Sequence, residues 1–450
     1  MADSKYNCDI TNTRISTILN NVNNGKNVCI LGAAGTGKSV CIDIIYNKLN
    51  ESGKTVYKTS TTGISAINIK GCTLHRWAGC GLMDREVDEL YTKYIKFNKK
   101  TRDRWINTDI LIIDEISMMS SELLEKLDKL GRMTTTYPHL PFGGIIIIAV
   151  GDFLQLPPVK AQFVFESDLW ESINWTYINF VHVFRYNDED YYKMLMRIRI
   201  GDQTENDMAY LKSKHKEYKK MEKAGKFDST QYTFMYSTNA KTERHNKDEL
   251  NKIERNEHDY FAVDSFKPDK DFKGKISKSE MEGYSTQMDK SVPRKITLKK
   301  GALVMLRFNI DVDSGLANGS QGHIRACSHK TYVDGVWVND KVKVKFLNGR
   351  VEYIEPVAYE LYLPGKGTFY RHQMPLILAF AATIHKFQGS TLDNAIINLG
   401  KSIFEDSQAY VALSRVRQGN TLLLSNYTDT CIKVNDKALN FIKSIKCIEI

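Results

Sequence analysis

One octapeptide constrains this chain more than any other stretch: Gly32-Ala33-Ala34-Gly35-Thr36-Gly37-Lys38-Ser39. Its spacing is G-x-x-x-x-G-K-[ST], in which glycines let backbone N–H groups close round phosphate oxygens. Lys38 adds a point charge toward the β- and γ-phosphates, and Ser39 offers a hydroxyl to Mg²⁺. Asn27–Leu31 before it is a short apolar strand, and Val40–Tyr46 after it suits a buried helix. Strand, glycine loop and helix N-terminus together aim a helix dipole at an anion. The expected ligand is a nucleoside triphosphate.

The 450 residues are enough for two to four domains. No 18-residue apolar run exists, and the start, Met1-Ala2-Asp3-Ser4-Lys5, does not read as a signal sequence. A soluble protein of the cytosol or nucleus, with no membrane partner, is the expectation. The eight cysteines are scattered, without C-x-x-C pairs or histidines at zinc spacing, so reduced thiols are expected and a structural metal is not. Sixty-three Lys and Arg against 53 Asp and Glu leave +10, which suits a polyanionic partner or simply a solvated basic face.

Residues 1–26 are polar and Asn-rich, with an amphipathic stretch at Ile15–Leu19 that predicts a helix. A strand over Thr55–Ser60 leads into Thr61-Thr62-Gly63 and a predicted helix at Ile64–Ile69. Residues 81–105 read equally as a small helical insertion or a solvated surface helix. In Asp109–Glu115 an unbroken apolar run predicts a strand buried on both faces, ending in two carboxylates where open α/β sheets bind ligands. Asp114 there suits Mg²⁺ held through its water shell, and Glu115 suits orienting or deprotonating the attacking water; capping the next helix is the plainer use of both. The strand Ile145–Val150 ends at Gly151–Pro158 and presents Gln155 as a γ-phosphate sensor at the same edge. This alternation predicts a doubly wound parallel sheet. Lys212–Lys226 and Phe266–Arg294 read as a solvated helix and mobile loops. Short strands follow at Ala302–Phe308, Gly322–Ala326, Val336–Val338, Val342–Phe346 and Val351–Ile354, as in a small β-barrel. Ala379–His385 is predicted as helix, Ala395–Leu399 as strand, Ser407–Arg415 as helix and Thr421–Leu424 as strand.

Across residues 20–425 the chain resembles superfamily 1B DNA helicases of the petite-integration-frequency (PIF) family, which is related to RecD-like helicases. The likeness runs in order through Gly32–Ser39, Ser60–Gly63 with Thr73-Leu74-His75, Asp114–Met118 and Gly151–Val159. Asp128-Lys129-Leu130 followed by Pro141-Phe142-Gly143-Gly144 is similar to the signature particular to that family. Phe184-Arg185, Leu316–Gly322, Thr383–Thr391 and Tyr410–Arg415 resemble its later motifs. Three departures stand out: no Gln lies in residues 1–31 where relatives set one against the adenine, Phe387 replaces a small residue, and the family's long N-terminal extension is expected to be absent.

The resemblance implies an α/β fold of two RecA-like P-loop NTPase domains, 1–180 and 181–450. It implies a helical wedge insertion near 79–106 and an SH3-like β-barrel insertion near 319–375. ATP and Mg²⁺ are the implied cofactors. Gly32, Gly35, Thr36, Gly37, Lys38, Ser39, Asp114, Gln388 and Gly389 would hold the nucleotide, with Ser39 and Asp114 on the metal. Lys38, Glu115, Gln155 and two arginine fingers, Arg185 and Arg415, would do the chemistry. Thr62, Gly63, His75, Trp77, Asn318 and His385 would line the DNA track, with Trp77 equally suited to the core. The implied activity is 5′-to-3′ unwinding, with single-stranded DNA and forked duplex as partners. Replication or repair proteins are further expected partners, a role in DNA recombination is also expected, and a monomer is expected on DNA. The compact form suits a virus or phage as much as a cell. A translocase without unwinding, a nucleotide-dependent switch and a small-molecule kinase are the alternatives.

Overall fold

In the computed structural model, the apolar runs around the glycine loop lie side by side in one parallel sheet. The structure describes residues 8–450 except 63–64, 67–68, 70, 82, 187, 225–231, 269–271, 290–291, 309, 311–315, 317–319, 329–330, 334–335, 339, 364–365, 389–390 and 393. Contacts divide the chain into one unit of residues 1–238 with 383–450 and another of residues 239–382. That division follows compactness and does not bear on the motor boundary expected at 180/181.

In the first unit, β1 (Val28–Gly32), β2 (Val56–Ser60), β3 (Cys72–Thr73), β4 (Ile110–Asp114), β5 (Ile146–Gly151) and β6 (Thr176–Phe180) share a sheet with the C-terminal strand Cys447–Glu449. Their order is Cys447–Glu449, β6, β1, β5, β4, β2, β3, and every pairing is parallel. Because strand side chains alternate, each apolar run feeds two cores. Cys29, Leu31, Leu111, Ile113, Ile147 and Ala149 join one, and Val28, Ile30, Ile110, Ile112, Ile148 and Val150 join the other. Helices α1 (Cys8–Asn23) and α2 (Lys38–Glu51) cover the second core with Ile18, Ile42, Ile45 and Leu49. Full burial of each such side chain contributes about 1.5–3 kcal/mol.

Residues 87–107 are helical: Val87–Leu90, a π-helical turn at Tyr91–Lys96, then Lys99–Asn107. Leu90, Ile95 and Trp105 anchor them in the first core, so this segment is packed and not a merely solvated helix. The PIF-like signature proves to be a staple. Asp128 Oδ1 accepts from the Phe142 N–H at 2.7 Å while Oδ2 accepts from Arg132 Nε at 2.7 Å. Gly143 has φ +65°, and a Cβ there would lie 2.0 Å from Thr135 Oγ1 and 2.4 Å from the Gly131 carbonyl oxygen, so only glycine fits.

A second parallel set, β7 (Thr233–Tyr236), Ala395–Leu399 and Leu422–Tyr427, also belongs to this unit, with helix Glu205–Lys223 against Leu422–Tyr427. From there the chain returns to the first sheet. Helix Asp436–Ser444 stacks Phe441 on Phe165 with centroids 4.2 Å apart, and Cys447–Glu449 extends the sheet beyond β6.

The second unit is antiparallel. Val351–Ile354, Lys341–Phe346, Gln321–Ser328, Leu303–Leu306 and Leu376–Leu378 form one sheet in that order. Val357–Leu363, Gly367–Gln373 and Val263–Pro268 form another. The expected short strands are therefore present, four of them in the first, open sheet and Val336–Val338 in a separate ribbon with Thr331–Val333.

Two expectations need correction. Ala379–His385 is not a helix but a strand at Ala381–Thr383 followed by a single 3₁₀ turn at Ile384–Phe387. An apolar run that short has no period to separate the two states. Nor is Phe266–Arg294 only loop: Val263–Pro268 is a strand and Lys278–Asp289 a helix. Their polar residues are drawn into structure by Arg371, which bonds Asp264, Ser285 and Asp289 from a later strand.

Candidate nucleotide site

The glycine loop closes on itself between β1 and α2. Thr36 Oγ1 donates to the Ala33 carbonyl at 3.0 Å, and Lys38 Nζ donates to the Gly32 and Ala33 carbonyls at 2.6 and 3.0 Å. Gly37 caps α2 in the left-handed region at φ 85°. Gly35 is left-handed too, and a Cβ on it would stand 2.5 Å from Arg185 Cβ. The Phe184 N–H donates to the Gly35 carbonyl at 2.9 Å, so the segment bearing the first expected finger lies directly on the loop. Arg14 of α1 supports the arrangement from beneath. Its guanidinium donates to the Thr36 carbonyl at 2.8 Å and sits 4.1 Å from the centre of the Phe180 ring.

Both carboxylates at the end of β4 face this loop electrostatically. Burial pushes the Asp114 carboxyl up, opposed by a 2.7 Å hydrogen bond from Ser65 Oγ. Glu115 has φ 55°, uncommon for a residue with a side chain and typical of functional turns. Burial first and Asp114 second push its carboxyl up to about 7, while Lys38, a hydrogen bond from Gln388 and Arg415 pull the other way. Gln388 Nε2 donates to Glu115 Oε2 at 3.0 Å. Lys38 is lowered by burial, against the pull of Asp152, Glu115 and Asp114.

At the end of β5, Gln155 is buried and its Nε2 lies 3.4 Å from Asp152 Oδ2. The other expected residues come from the far end of the chain. Arg415 is buried, donating to the Val411 and Phe387 carbonyls and to Ser414 Oγ at 2.8, 3.2 and 2.6 Å. Burial and then Arg185 lower it to about 10. Arg185 Nη1 donates to the Ser414 carbonyl at 3.1 Å, which ties both expected fingers to the segment at Ser414.

A divalent ion fits this donor set. Ser39 is exposed at the start of α2 and Asp114 ends β4, and both offer hard oxygens. No group of three or more His, Cys, Asp or Glu that could hold a metal occurs among the described residues.

The expected DNA residues are treated unevenly. Thr62 is half-buried and accepts from the Ser65 N–H at 3.2 Å. His75 is half-buried on helix Leu74–Ala78, its pKa lowered by burial. His385 Nε2 lies 3.1 Å from Glu405 Oε2. Trp77 is corrected: at 2% exposure, against Trp105 with centroids 4.5 Å apart, it is a core residue with no face free to stack a base. Gly63, Asn318 and Gly389 lie outside the described residues.

Sequence reading missed four side chains here. The Tyr410 hydroxyl accepts from the Ala34 N–H of the loop at 3.1 Å. Ser65 holds Asp114, Arg14 braces the loop, and Arg199 pairs with Asp152. Only Tyr410 lay inside a motif that marked it.

A sequence profile described as PIF1-like helicase matches residues 10–208, and one described as DNA helicase Pif1, 2B domain, matches residues 285–326. The crystal structure of Pif1 helicase from Candida albicans matches at a TM-score of 0.82 and 30% identity, over 98% of this chain and 100% of that one. The chain belongs to the PIF1-like helicase family. Within that family, ATP-dependent DNA helicase PIF1 of Danio rerio is 34% identical over 437 residues, which is 96% of this chain and 63% of that protein. Pif1 helicase from Bacteroides, in complex with ADP-AlF3 and ssDNA, matches at a TM-score of 0.67 and 25% identity over 96% of each chain. This PIF1-like chain spans about three fifths of the length of the curated helicases it matches, 61% and 63% for the first two.

Proposed function

We propose that the chain is an ATP-dependent DNA helicase, moving 5′-to-3′ on single-stranded DNA and opening duplex. The observation that carries the reading is convergence. Lys38, Asp114, Glu115 and Gln155 stand at the ends of three adjacent strands, with Arg185 and Arg415 joined to Ser414 beside them. A binding switch has no use for two arginines at a phosphate loop, whereas hydrolysis does. Family membership supports the same reading, as does the Bacteroides relative with ADP-AlF3 and ssDNA.

In this reading Lys38 exchanges the Gly32 and Ala33 carbonyls for β- and γ-phosphate oxygens. Ser39 and Asp114 would hold Mg²⁺, Asp114 through the ion's water shell. When bound, that ion supplies charge neutralisation on the phosphates. Glu115 takes the proton of the attacking water, Gln155 reports the γ-phosphate, and Arg185 and Arg415 stabilise the charge that develops in transfer, an effect of about 10³–10⁵ in rate. Thr62, His75 and His385 touch the strand. The motor domains are 1–180 and 181–450, with the packed helices near 79–106 as wedge and the antiparallel strands near 319–375 as an SH3-like insertion. No helix among the described residues is long and apolar enough to cross a membrane. A relative's structure describes unwinding at forked dsDNA by two coordinating Pif1 helicases, so copy number on a fork is measured together with activity.

Two assays test the proposal. Lys38→Ala should lower ATP turnover by about 10²-fold or more in a folded protein. The wild type should unwind a duplex with a 5′ tail and leave a 3′-tailed one nearly intact; the reverse preference overturns the direction. DNA-stimulated hydrolysis without unwinding of any fork would leave the translocase reading in its place.

A further inference from the structure

Asp152 is a buried anion in the middle of the site, and none of the roles above uses it. It follows Gly151 at the end of β5 with its side chain 0% exposed. Its carboxylate is fully engaged. Arg199 Nε donates to Oδ2 at 3.0 Å, Arg199 Nη2 to Oδ1 at 2.6 Å, and the Leu154 N–H to Oδ1 at 3.1 Å. Arg199 comes from the last turn of helix Glu189–Ile200, 47 positions on, and its side chain is 16% exposed.

A buried carboxylate without a cation is strongly unfavourable, and it recruits whichever cation is nearest. Two cations act on Asp152, Arg199 and Lys38. Strand β5 pairs with β1 so that Gly151 lies opposite Leu31, which sets Asp152 beside Gly32, and the Gly32 carbonyl holds Lys38 Nζ at 2.6 Å. The hydroxyl of Tyr410, which also holds the Ala34 N–H, lies in the same field. An Asp152 carboxylate without its own cation would compete with phosphates for Lys38, so neutralising it serves the loop. Arg199 is built for that task, since its fork gives two parallel bonds to one carboxylate.

We infer that Arg199 is a positioning residue for nucleotide binding: by neutralising Asp152 it leaves the Lys38 ammonium free for the phosphates and fixes the Gln155 loop. The inference rests on the nucleotide-binding reading above. Arg199 touches no nucleotide in this scheme; it acts through Asp152.

The test is a suppressor experiment on the full chain, with a fluorescent ATP analogue and Mg²⁺ as probe and circular dichroism as the check on folding. Arg199→Met should weaken analogue binding about tenfold or more, because Asp152 then captures Lys38. KM for ATP should rise with it, and kcat should change much less. Adding Asp152→Asn to Arg199→Met removes the orphaned charge and should restore most of the binding. Arg199→Lys, which keeps the cation and loses the fork, should fall between. If Arg199→Met does not fold, Arg199→Lys with and without Asp152→Asn reads the same coupling. Unchanged binding in a folded Arg199→Met protein overturns the inference, and so does a loss that Asp152→Asn fails to restore, because Arg199 would then act on the nucleotide directly. A wild type that does not bind the analogue at all refutes the nucleotide reading itself.

Discussion

Gln388 and Glu115 are 273 positions apart in the chain, and the amide Nε2 of the first donates to the carboxylate Oε2 of the second at 3.0 Å. The bond joins the Glu115 carboxylate at the end of β4 to the segment that precedes Ala395–Leu399 in the second parallel set. A change in that segment therefore reaches the residue proposed to handle the attacking water. Glu115→Gln should keep nucleotide binding and cut hydrolysis by about 10²–10⁴, the usual worth of a general base. Gln388→Ala should leave the base in place and misorient it, costing about tenfold or more in turnover. Steady-state ATPase paired with nucleotide binding separates the two, and loss of binding in Glu115→Gln would make Glu115 a metal ligand instead.

Arg415 is 1% exposed and bonded to three oxygens of its own neighbourhood. Truncation to alanine would mix a folding defect with a chemical one. Arg415→Lys keeps the charge and loses the planar fork, so its thermal midpoint should stay close to the wild type while DNA-stimulated hydrolysis and unwinding fall together by about 10²–10³. Normal hydrolysis in that variant would remove Arg415 from the site.

Arg371 has a side chain 0% exposed, held by Asp264 at 2.7 Å and Asp289 at 2.6 Å, with the Val292 carbonyl at 2.8 Å. It ties the strand Gly367–Gln373 to helix Lys278–Asp289 in the second unit. Arg371→Met should destabilise that unit by about 2–4 kcal/mol, below the full range for a broken buried pair because both carboxylates are partly exposed. Denaturant unfolding followed by hydrogen exchange in residues 257–373 measures it. Protection equal to the wild type would mean the packing alone holds the unit.

Asp207 caps helix Glu205–Lys223 together with Thr204 and receives two bonds from Arg197 at 2.7 and 2.6 Å. That pairing, first among the causes, holds its carboxyl down at about 2. A depressed folded-state pKa contributes stability above the unfolded value of about 4 and loses it as pH falls toward the folded one. The contribution, on the order of 1–2 kcal/mol, should thus be complete at neutral pH and vanish between about pH 4 and about 2. Asp207→Asn should flatten the acid limb of the stability curve in that window; an unchanged limb would show the cap to be idle.

What the sequence determined by itself is whatever depends on consecutive residues. Gly32–Ser39 places glycines, a lysine and a hydroxyl within one turn of chain, so its geometry is local. The apolar runs in β1, β4 and β5 announce strands buried on both faces, and with them a parallel sheet whose edge carries Lys38, Asp114, Glu115 and Gln155. The tertiary structure decided everything that needs two distant segments at once. Trp77 could be surface or core by pattern, and the helices at 87–107 made it core by bringing Trp105 against it. Phe266–Arg294 looked solvated because the arginine that orders it lies 82 positions beyond Asp289. Arg199, Tyr410 and Gln388 carry no local signal for Asp152, Ala34 and Glu115, their partners 47, 376 and 273 positions away. A charge or hydrogen bond acts through space, and only the folded chain sets that distance.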